Sequence, residues 1–208
     1  MYAKFFKRVL DFFISLIAIS VLSPVIIVLT IIGIFAMGGN PFFFQKRPGR
    51  IKRNGKEKIF RLIKFRTMSN KKGVDGQLLP DKDRLNGYGK FLRATSLDEL
   101  PELFNILLGH MAIIGPRPLL VSYLERYNER QRRRHLVRPG LTGLAQVSGR
   151  NSISWEDKFD LDVAYVESVS FWLDVKIFFK TIGLVLKREG ITAQNSATAE
   201  EFKGNKND

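Results

Sequence analysis

Residues Phe12–Met37, FFISLIAISVLSPVIIVLTIIGIFAM, carry no charge over 26 positions and hold a Ser23-Pro24 step near their middle. Lys4, Lys7 and Arg8 stand before this stretch. Lys46, Arg47, Arg50, Lys52, Arg53, Lys56 and Lys58 follow it, with Glu57 the only acid on that second flank. A helix that crosses a bilayer normally keeps its lysines and arginines on one side, so two basic flanks argue against a simple crossing. Length alone would permit one, since roughly 20 residues span a hydrocarbon core of ~30 Å. Pro24 changes the balance by removing a backbone donor and crowding the carbonyl four residues back. The halves on either side of it rise only about 18 and 21 Å, each too short to cross. The expectation is a re-entrant helix-break-helix that enters and leaves on one face, with Ser23 available to hydrogen-bond a carbonyl freed by Pro24. One kinked spanning helix is the competing expectation. A cleaved signal peptide fits less well, because the run exceeds an h-region and lacks a small-x-small cleavage site.

With about 40 of the 208 residues committed to the membrane, the remainder suits one compact domain. The divisions are 1–40 for the membrane hairpin, 41–190 for the domain and 191–208 for a polar tail. The expected fold class is mainly α with a small β-hairpin, monotopic in the membrane and carrying interfacial amphipathic helices. A formal net charge of +14 calls for anionic partners: lipid, nucleic acid or phosphorylated small molecules. Cations beside a membrane helix each gain roughly 1 kcal/mol near an anionic leaflet, so anionic membrane lipid is the default partner. A second basic run, Arg126, Arg130, Arg132, Arg133, Arg134 and Arg138, reads as a solvated or lipid-facing surface. The chain has no cysteine and two histidines, which removes disulfides and Cys-based metal sites. No Walker A sequence, dinucleotide glycine pattern, Gly-x-Ser-x-Gly elbow or His-Glu-x-x-His occurs, so ATPase, dehydrogenase, serine hydrolase and zinc protease readings lose their support.

Outward from the apolar stretch, Phe42 to Gln45 and Lys58 to Thr67 have the aromatic and β-branched content of a short hairpin around a basic Gly- and Pro-containing loop. Lys71 to Asn86 read as a surface loop, and a helix is expected from Gly87 or Tyr88 to Ala94. In Thr95 to Gly109, Leu100, Leu103, Phe104, Leu107 and Leu108 recur at helical spacing and predict one buried stripe. Ser96 and Glu99 match a capping box, Pro101 fits a first turn and Gly109 marks a stop. Gly115-Pro116-Arg117-Pro118 is a stiff turn presenting Arg117. Helices are expected over Tyr123 to Leu136, Trp155 to Glu167 and Phe171 to Arg188, with a loop at Arg138 to Gly143. The last of these helices lies either in the membrane interface or in the core, and the tail beyond Gly190 is expected to fray.

Asp98 and Glu99 fall where a helix start favours negative charge. Capping alone would account for them. Three separate cations, Lys64, Arg93 and Arg117, raise the case for chemistry, because a carboxylate beside them would be held ionised as a nucleophile or metal ligand. Arginine forks suit phosphate oxygens, and a carboxylate can hold Mg²⁺ whose shell the substrate's phosphates complete. A diphosphate therefore suits this set better than a neutral substrate.

Lys64-Phe65-Arg66-Thr67-Met68, Ser96-Leu97-Asp98-Glu99-Leu100-Pro101, Gly115-Pro116-Arg117-Pro118 and Arg138-Pro139-Gly140-Leu141-Thr142-Gly143-Leu144-Ala145-Gln146-Val147 together resemble the bacterial sugar transferase family. More narrowly, the chain is similar to a small monotopic phosphoglycosyl transferase of the type that begins glycoprotein glycan assembly. The likeness runs from Lys7 to about Lys187. It implies transfer of a sugar-1-phosphate from a UDP-sugar to undecaprenyl phosphate, releasing UMP. It implies Asp98 as nucleophile of a phosphosugar-aspartyl intermediate, Glu99 associated with Mg²⁺, and Arg93, Arg117 and Lys64 on the substrate phosphates. Asp174 falls at another recurrent family position, as a candidate only, and Ser23-Pro24 corresponds to the family's re-entrant break. The implied setting is the cytoplasmic face of a bacterial inner membrane, in the minimal form of the family, with downstream glycosyltransferases as partners and no nucleic acid. A basic membrane adaptor that binds anionic lipid or RNA without catalysis is the alternative. A polytopic-type transferase in which the lipid phosphate attacks directly, with no enzyme adduct, is a third.

Overall fold

A computed structural model describes residues 1–149, 153–187 and 201–205, and it is built along one apolar helix. A π-helical turn, Tyr2–Phe6, leads into α1, Lys7–Met37, which Gly38 ends in the left-handed region at φ 64°. The helix runs through Pro24 without interruption, so the expected division into two helices at Ser23-Pro24 is not seen. The reason is local. Pro24 has no N–H for the Ser20 carbonyl, and the Ser23 hydroxyl donates to that same carbonyl at 2.8 Å. The freed acceptor is thereby satisfied, as expected of Ser23, and the helix continues past the missing bond.

One face of α1 is held by the rest of the chain from end to end. Lys7, Asp11, Ser15, Ile26, Leu29, Gly33 and Met37 are buried, and Ala18, Ile19 and Leu22 pack against the core between them. Near its start, Arg8 donates to the Ile106 and Leu107 carbonyls at 2.7 Å each, and Asp11 accepts from the Ile113 amide at 3.1 Å. Near its end, the Tyr88 hydroxyl donates to the Leu29 carbonyl at 2.7 Å and Asn86 to the Ala36 carbonyl at 2.8 Å. Gly33 is required at that second anchor, because a Cβ there would sit 2.8 Å from the Tyr88 hydroxyl. The other face leaves Phe13, Ile17, Val21, Ile27, Val28 and Phe35 exposed. The helix therefore lies along the body instead of projecting from it.

Strands β1, Phe42–Ile51, and β2, Glu57–Phe65, pair antiparallel from Phe42 opposite Phe65 to Ile51 opposite Glu57. The hairpin is longer than expected, because β1 carries on through Pro48 and Gly49 with an irregular register between Pro48 and Ile51; in a two-stranded sheet a proline can keep its missing donor side unpaired. Short α2, Asp81–Arg84, and α3, Gly87–Thr95, follow, the latter capped by Asn86 accepting from the Gly89 amide at 2.9 Å.

The stretch Thr95 to Gly109 departs from its predicted continuous helix. Ser96 takes up φ 57° and closes α3, makes no side-chain cap bond, and is followed by a 3₁₀ turn over Leu97–Glu99. Pro101 then stands before α4, Glu102–Leu107. The capping box fails because Glu99 is bonded to cations instead. The buried stripe is shifted too: Leu103 and Ile106 are buried beside Glu102 and Asn105, whereas Phe104 and Leu108 are exposed. Gly109, at φ 76°, does end the helix.

Beyond it, β3, Ala112–Ile114, pairs in parallel with β4, Gly140–Thr142, where a loop was expected. Two glycines permit this: a Cβ on Gly140 would meet the Gly115 amide nitrogen at 2.1 Å, and one on Gly143 the Gly115 carbonyl oxygen at 2.1 Å. The predicted helix over Tyr123 to Leu136 is broken into a 3₁₀ turn at Val121–Tyr123, α5 at Glu129–Arg132 with an Asn128 capping box, and another 3₁₀ turn at Arg133–Leu136. Helices α6, Leu144–Ser148, α7, Trp155–Ser168, and α8, Phe171–Lys187, complete the fold, the last two where expected. α8 buries Asp174 and Ile177 and exposes Phe171, Trp172, Phe178, Phe179 and Ile182, the one-sided pattern of an amphipathic helix. The tail expectation over 191–200 lies outside the described residues. The part at 201–205 is docked, not frayed: Phe202, 4 % exposed, fills an aromatic socket of Tyr123, Tyr127, Trp155 and Phe159.

Candidate functional site

A cleft of about 1310 Å³ opens between the hairpin, the Asp98 turn and α8. Lys64, Arg93, Arg117 and the adjacent pair Asp98 and Glu99 all line it, so residues from four separate stretches of the chain converge. Another wall is apolar, from Ala18 and Leu22 of α1, Phe43 and Phe44 of β1, and Phe178, Ile182 and Val185 of α8.

Lys64 is set by a side-chain splice between β2 and α4. The buried Asn105 accepts from the Ile63 amide at 3.0 Å and donates to the Arg61 carbonyl at 2.8 Å. That splice brings the acids at the start of α4 to the next residue of β2. Lys64 Nζ lies 2.6 Å from Glu99 Oε1, 3.1 Å from Glu102 Oε1 and 3.9 Å from Asp98 Oδ2. Arg117 Nη2 reaches the same Glu99 Oε1 at 2.8 Å, and Arg93 Nε donates to Thr67 Oγ1 at 3.0 Å. Arg117 is positioned from behind: Arg134 Nη2 donates to its carbonyl at 2.7 Å while pairing with Asp162 through Nε and Nη2 at 3.0 and 2.7 Å.

The three carboxyls divide by environment. Burial pushes Glu99 up, but Lys64 and Arg117 more than offset it and hold the group well below the usual range. Burial pushes Asp98 up, and the opposing pull of Lys64, Arg117 and Arg93 does not cancel it. Burial also carries Glu102, 3 % exposed, up to about 7. The expectation that cations hold the acid pair ionised therefore applies to Glu99, whereas Asp98 shifts the other way because Lys64 stands farther from it. Lys64 is itself pushed down by burial and raised on balance by Glu99 and Glu102.

Asp174 is not brought into this site. It is buried in the first turn of α8, where it accepts from Lys7 Nζ at 2.6 Å, the Tyr2 hydroxyl at 2.6 Å and the Tyr165 hydroxyl at 2.7 Å, and so clasps the chain start to α8. Ser23 and Pro24 lie in α1 as described above. Glu102 and Asp162 line or support the cleft and were not singled out from the sequence. Glu102 sits one helical turn beyond Glu99. Asp162 carried a signal: it is an acid on the apolar face of α7, between Phe159 and Val163, which in a folded chain needs a partner.

Among the described residues, no three carboxylate or imidazole groups converge as a metal cage. The residues suit Mg²⁺ only in the mode where one or two carboxylates share it with substrate phosphates. Glu99 fits that mode, since both of its ion pairs fall on Oε1.

The sequence profile described as bacterial sugar transferase matches residues 2–188. The chain is 51 % identical over 183 residues to the uncharacterised sugar transferase EpsL of Bacillus subtilis, covering 88 % of each. It is 37 % identical over 205 residues to the undecaprenyl-phosphate galactose phosphotransferase of Salmonella typhimurium, covering 90 % of this chain and 42 % of that protein. It is also 37 % identical over 187 residues to a UDP-glucose:undecaprenyl-phosphate glucose-1-phosphate transferase of Klebsiella pneumoniae, covering 85 % and 39 %. The chain thus spans nearly all of EpsL and less than half of the two relatives named for a substrate.

Proposed function

The chain belongs to the bacterial sugar transferase family, and on that premise we propose that it transfers a sugar-1-phosphate from a UDP-sugar to undecaprenyl phosphate, giving undecaprenyl diphosphate sugar and UMP. One observation supports the reading: a single cleft is lined by Asp98, by cations suited to a diphosphate and by apolar residues of α1 and α8 suited to a polyprenyl chain. In the first half-reaction, an Asp98 carboxylate oxygen bonds to the β-phosphorus, and the bond from that phosphorus to the bridging oxygen breaks, sending UMP away. In the second, a phosphate oxygen of the lipid attacks the same phosphorus and the Asp98 carboxylate leaves. Arg117, Arg93 and Lys64 offset the charge that shifts to the leaving oxygens, so positioning and cation stabilisation carry the rate. Mg²⁺, held by Glu99 with the donor's phosphates, would neutralise further diphosphate charge. The product is the first membrane intermediate of a glycan.

UMP release from a UDP-sugar and undecaprenyl phosphate tests this directly. Activity is expected to need added Mg²⁺ and to fall by at least about 10³-fold in Asp98→Asn, the scale of losing a nucleophile. With labelled donor and no lipid, the unaltered chain is expected to acquire label and Asp98→Asn to stay bare. Normal turnover in that variant would remove Asp98 from its role, and turnover without any protein label would favour direct attack by the lipid.

The same proposal places the chain monotopically on the cytoplasmic face of the inner membrane. Its support is that hydrogen bonds tie α1 to one body at both ends, through Arg8 to the Ile106 carbonyl and through Asn86 to the Ala36 carbonyl, while apolar residues of α1, α4 and α8 face outward, the arrangement of a helix lying at an interface. The chain has no cysteine of its own, so Tyr2→Cys and Asn54→Cys can be labelled from each side of sealed vesicles. Same-side labelling is expected; opposite sides would mean a crossing.

A further inference from the structure

The tip of the hairpin carries a second cavity, of about 310 Å³, which shares no lining residue with the cleft. Arg50, Lys52, Arg53 and Lys58 contribute to it from the hairpin, Arg138 from the loop before β4, and His110 from the end of the α4 segment; no acid lines it. None of these five cations has a carboxylate within ion-pair reach among the described residues. The His110 ring packs on Phe60 at 5.8 Å between centroids, and its Nδ1 is buried with no hydrogen-bond partner.

Five cations gather around the concavity, of which Arg138 feels a nearby internal carboxylate, that of Asp11; the set repels itself, and an anion held among them relieves that repulsion. Arginine forks and lysine points suit phosphoryl oxygens in particular. A volume at the small end of ligand pockets, about 300 Å³, suits a headgroup better than a nucleotide. The position also matters. Gly109, on the cavity wall, lies against Arg8 of α1, such that a Cβ there would come within 3.2 Å of that guanidinium. The adjoining Leu108 is 65 % exposed. The cavity therefore opens beside the outward apolar surface, where its cations would meet the headgroups of any leaflet that covers that surface.

We propose that this pocket is a phosphoryl-binding site separate from the reaction cleft, filled at the membrane by the headgroup of an anionic phospholipid. A soluble phosphate shares the same chemistry, and the two sources are separable by experiment. The site would grip the bilayer at a fixed point beside the start of α1 and so hold the cleft at a set height and rotation.

His110 is a built-in reporter, because the chain's other histidine, His135, is pushed down to about 3 by burial and does not titrate near neutrality. Ring NMR of the full chain in zwitterionic micelles can follow His110 during titration with dihexanoyl phosphatidylglycerol, dihexanoyl phosphatidylcholine and inorganic phosphate. Phosphatidylglycerol is expected to move the His110 resonance saturably and raise its titration midpoint. Phosphatidylcholine is expected to leave it in place. In Arg50→Gln/Lys52→Gln/Arg53→Gln the apparent affinity should fall about 100-fold, the product of three juxtamembrane cations. A saturable response to phosphatidylglycerol alone supports the lipid source. An equal response to inorganic phosphate keeps the phosphoryl site and overturns the lipid assignment. No saturable response, an equal response to phosphatidylcholine, or unchanged affinity in the triple variant overturns the proposal. The readout does not involve turnover, so its outcome is independent of whether Asp98 performs the proposed chemistry.

Discussion

Each arginine between 126 and 134 stands beside a carboxylate: Arg126 with Glu201 at 2.8 Å, Arg130 with Asp160 at 3.2 Å, Arg132 with Glu57 at 2.8 Å, Arg133 with Glu167 at 2.8 Å and Arg134 with Asp162 at 2.7 Å. Arg50, Lys52, Arg53 and Lys58 at the hairpin tip have no such partner among the described residues. Exposed pairs such as Arg130–Asp160 add little stability, but they cancel the local field. The tip beside α1 is therefore a place where positive charge goes unanswered by ion pairs, unlike the arginine run. In the second basic run, expected to be a solvated or lipid-facing surface, Arg130, Arg132 and Arg133 are exposed but tied to α7 and β2, Arg126 is tied to the docked tail, Arg134 is buried against Asp162, and Arg138 lines the tip cavity.

The cleft differs from the tip in that its cations are answered: Lys64 stands among three carboxyls and Arg117 shares Glu99. Removing Lys64 should accordingly be the most damaging change on either side of the comparison. Lys64→Met leaves Glu99 with Arg117 alone and Glu102 without a cation, and the loss of one partner from a buried set costs about 3 kcal/mol. Thermal unfolding in micelles at pH 8 should show it, with a smaller loss at pH 5, where Glu102 takes up a proton. An unfolding temperature equal to that of the unaltered chain at pH 8 would mean that the cleft charges are as loosely coupled as those of the tip.

Glu102→Gln sharpens the same contrast through pH. A buried carboxyl raised to about 7 from an ordinary 4.5 binds its proton more tightly in the folded chain than in the unfolded one. Its stabilising contribution is complete below about 4.5 and is lost as pH rises through about 7. Between pH 5 and 8 the unaltered chain should lose on the order of 2 kcal/mol from this group, and Glu102→Gln should flatten that slope. Glu99, shifted the opposite way, acts below this window. A slope that survives the substitution would assign the effect to another group.

The limits of reading this fold in advance follow from the same charges. Local signals were sufficient for α3, α7, α8 and the hairpin, because each carries its own periodicity and end signals; over α1 they predicted a break at Pro24 that the Ser23 hydroxyl makes unnecessary. They failed over Thr95 to Gly109, where the capping-box spacing of Ser96 and Glu99 is real but Lys64, 35 residues away, offers Glu99 a stronger partner at 2.6 Å. They failed again at Gly140, whose strand exists only because Gly115 admits its backbone. Of the site, Lys64, Arg93, Asp98, Glu99 and Arg117 were legible as separate ions in stiff or capped contexts. Glu102 was hidden as one more polar residue of a helix, and Asp174, a candidate only, lies outside the cleft lining, held by Tyr2 and Lys7 from the other end of the chain.

The smallest expected effect is the one that most separates the two regions. Arg50→Gln/Lys52→Gln/Arg53→Gln removes three charges that touch no carboxylate, from side chains that are exposed. Surface substitutions of this kind leave stability within about 0.5 kcal/mol, and relief of mutual repulsion should put any change on the stabilising side. The effect should also shrink as salt is added, since screening at 0.15 M already acts over about 8 Å. An unfolding temperature that drops by several degrees, with no dependence on salt, would mean that these side chains have structural partners after all, and the tip would then resemble the arginine run from which it is here distinguished.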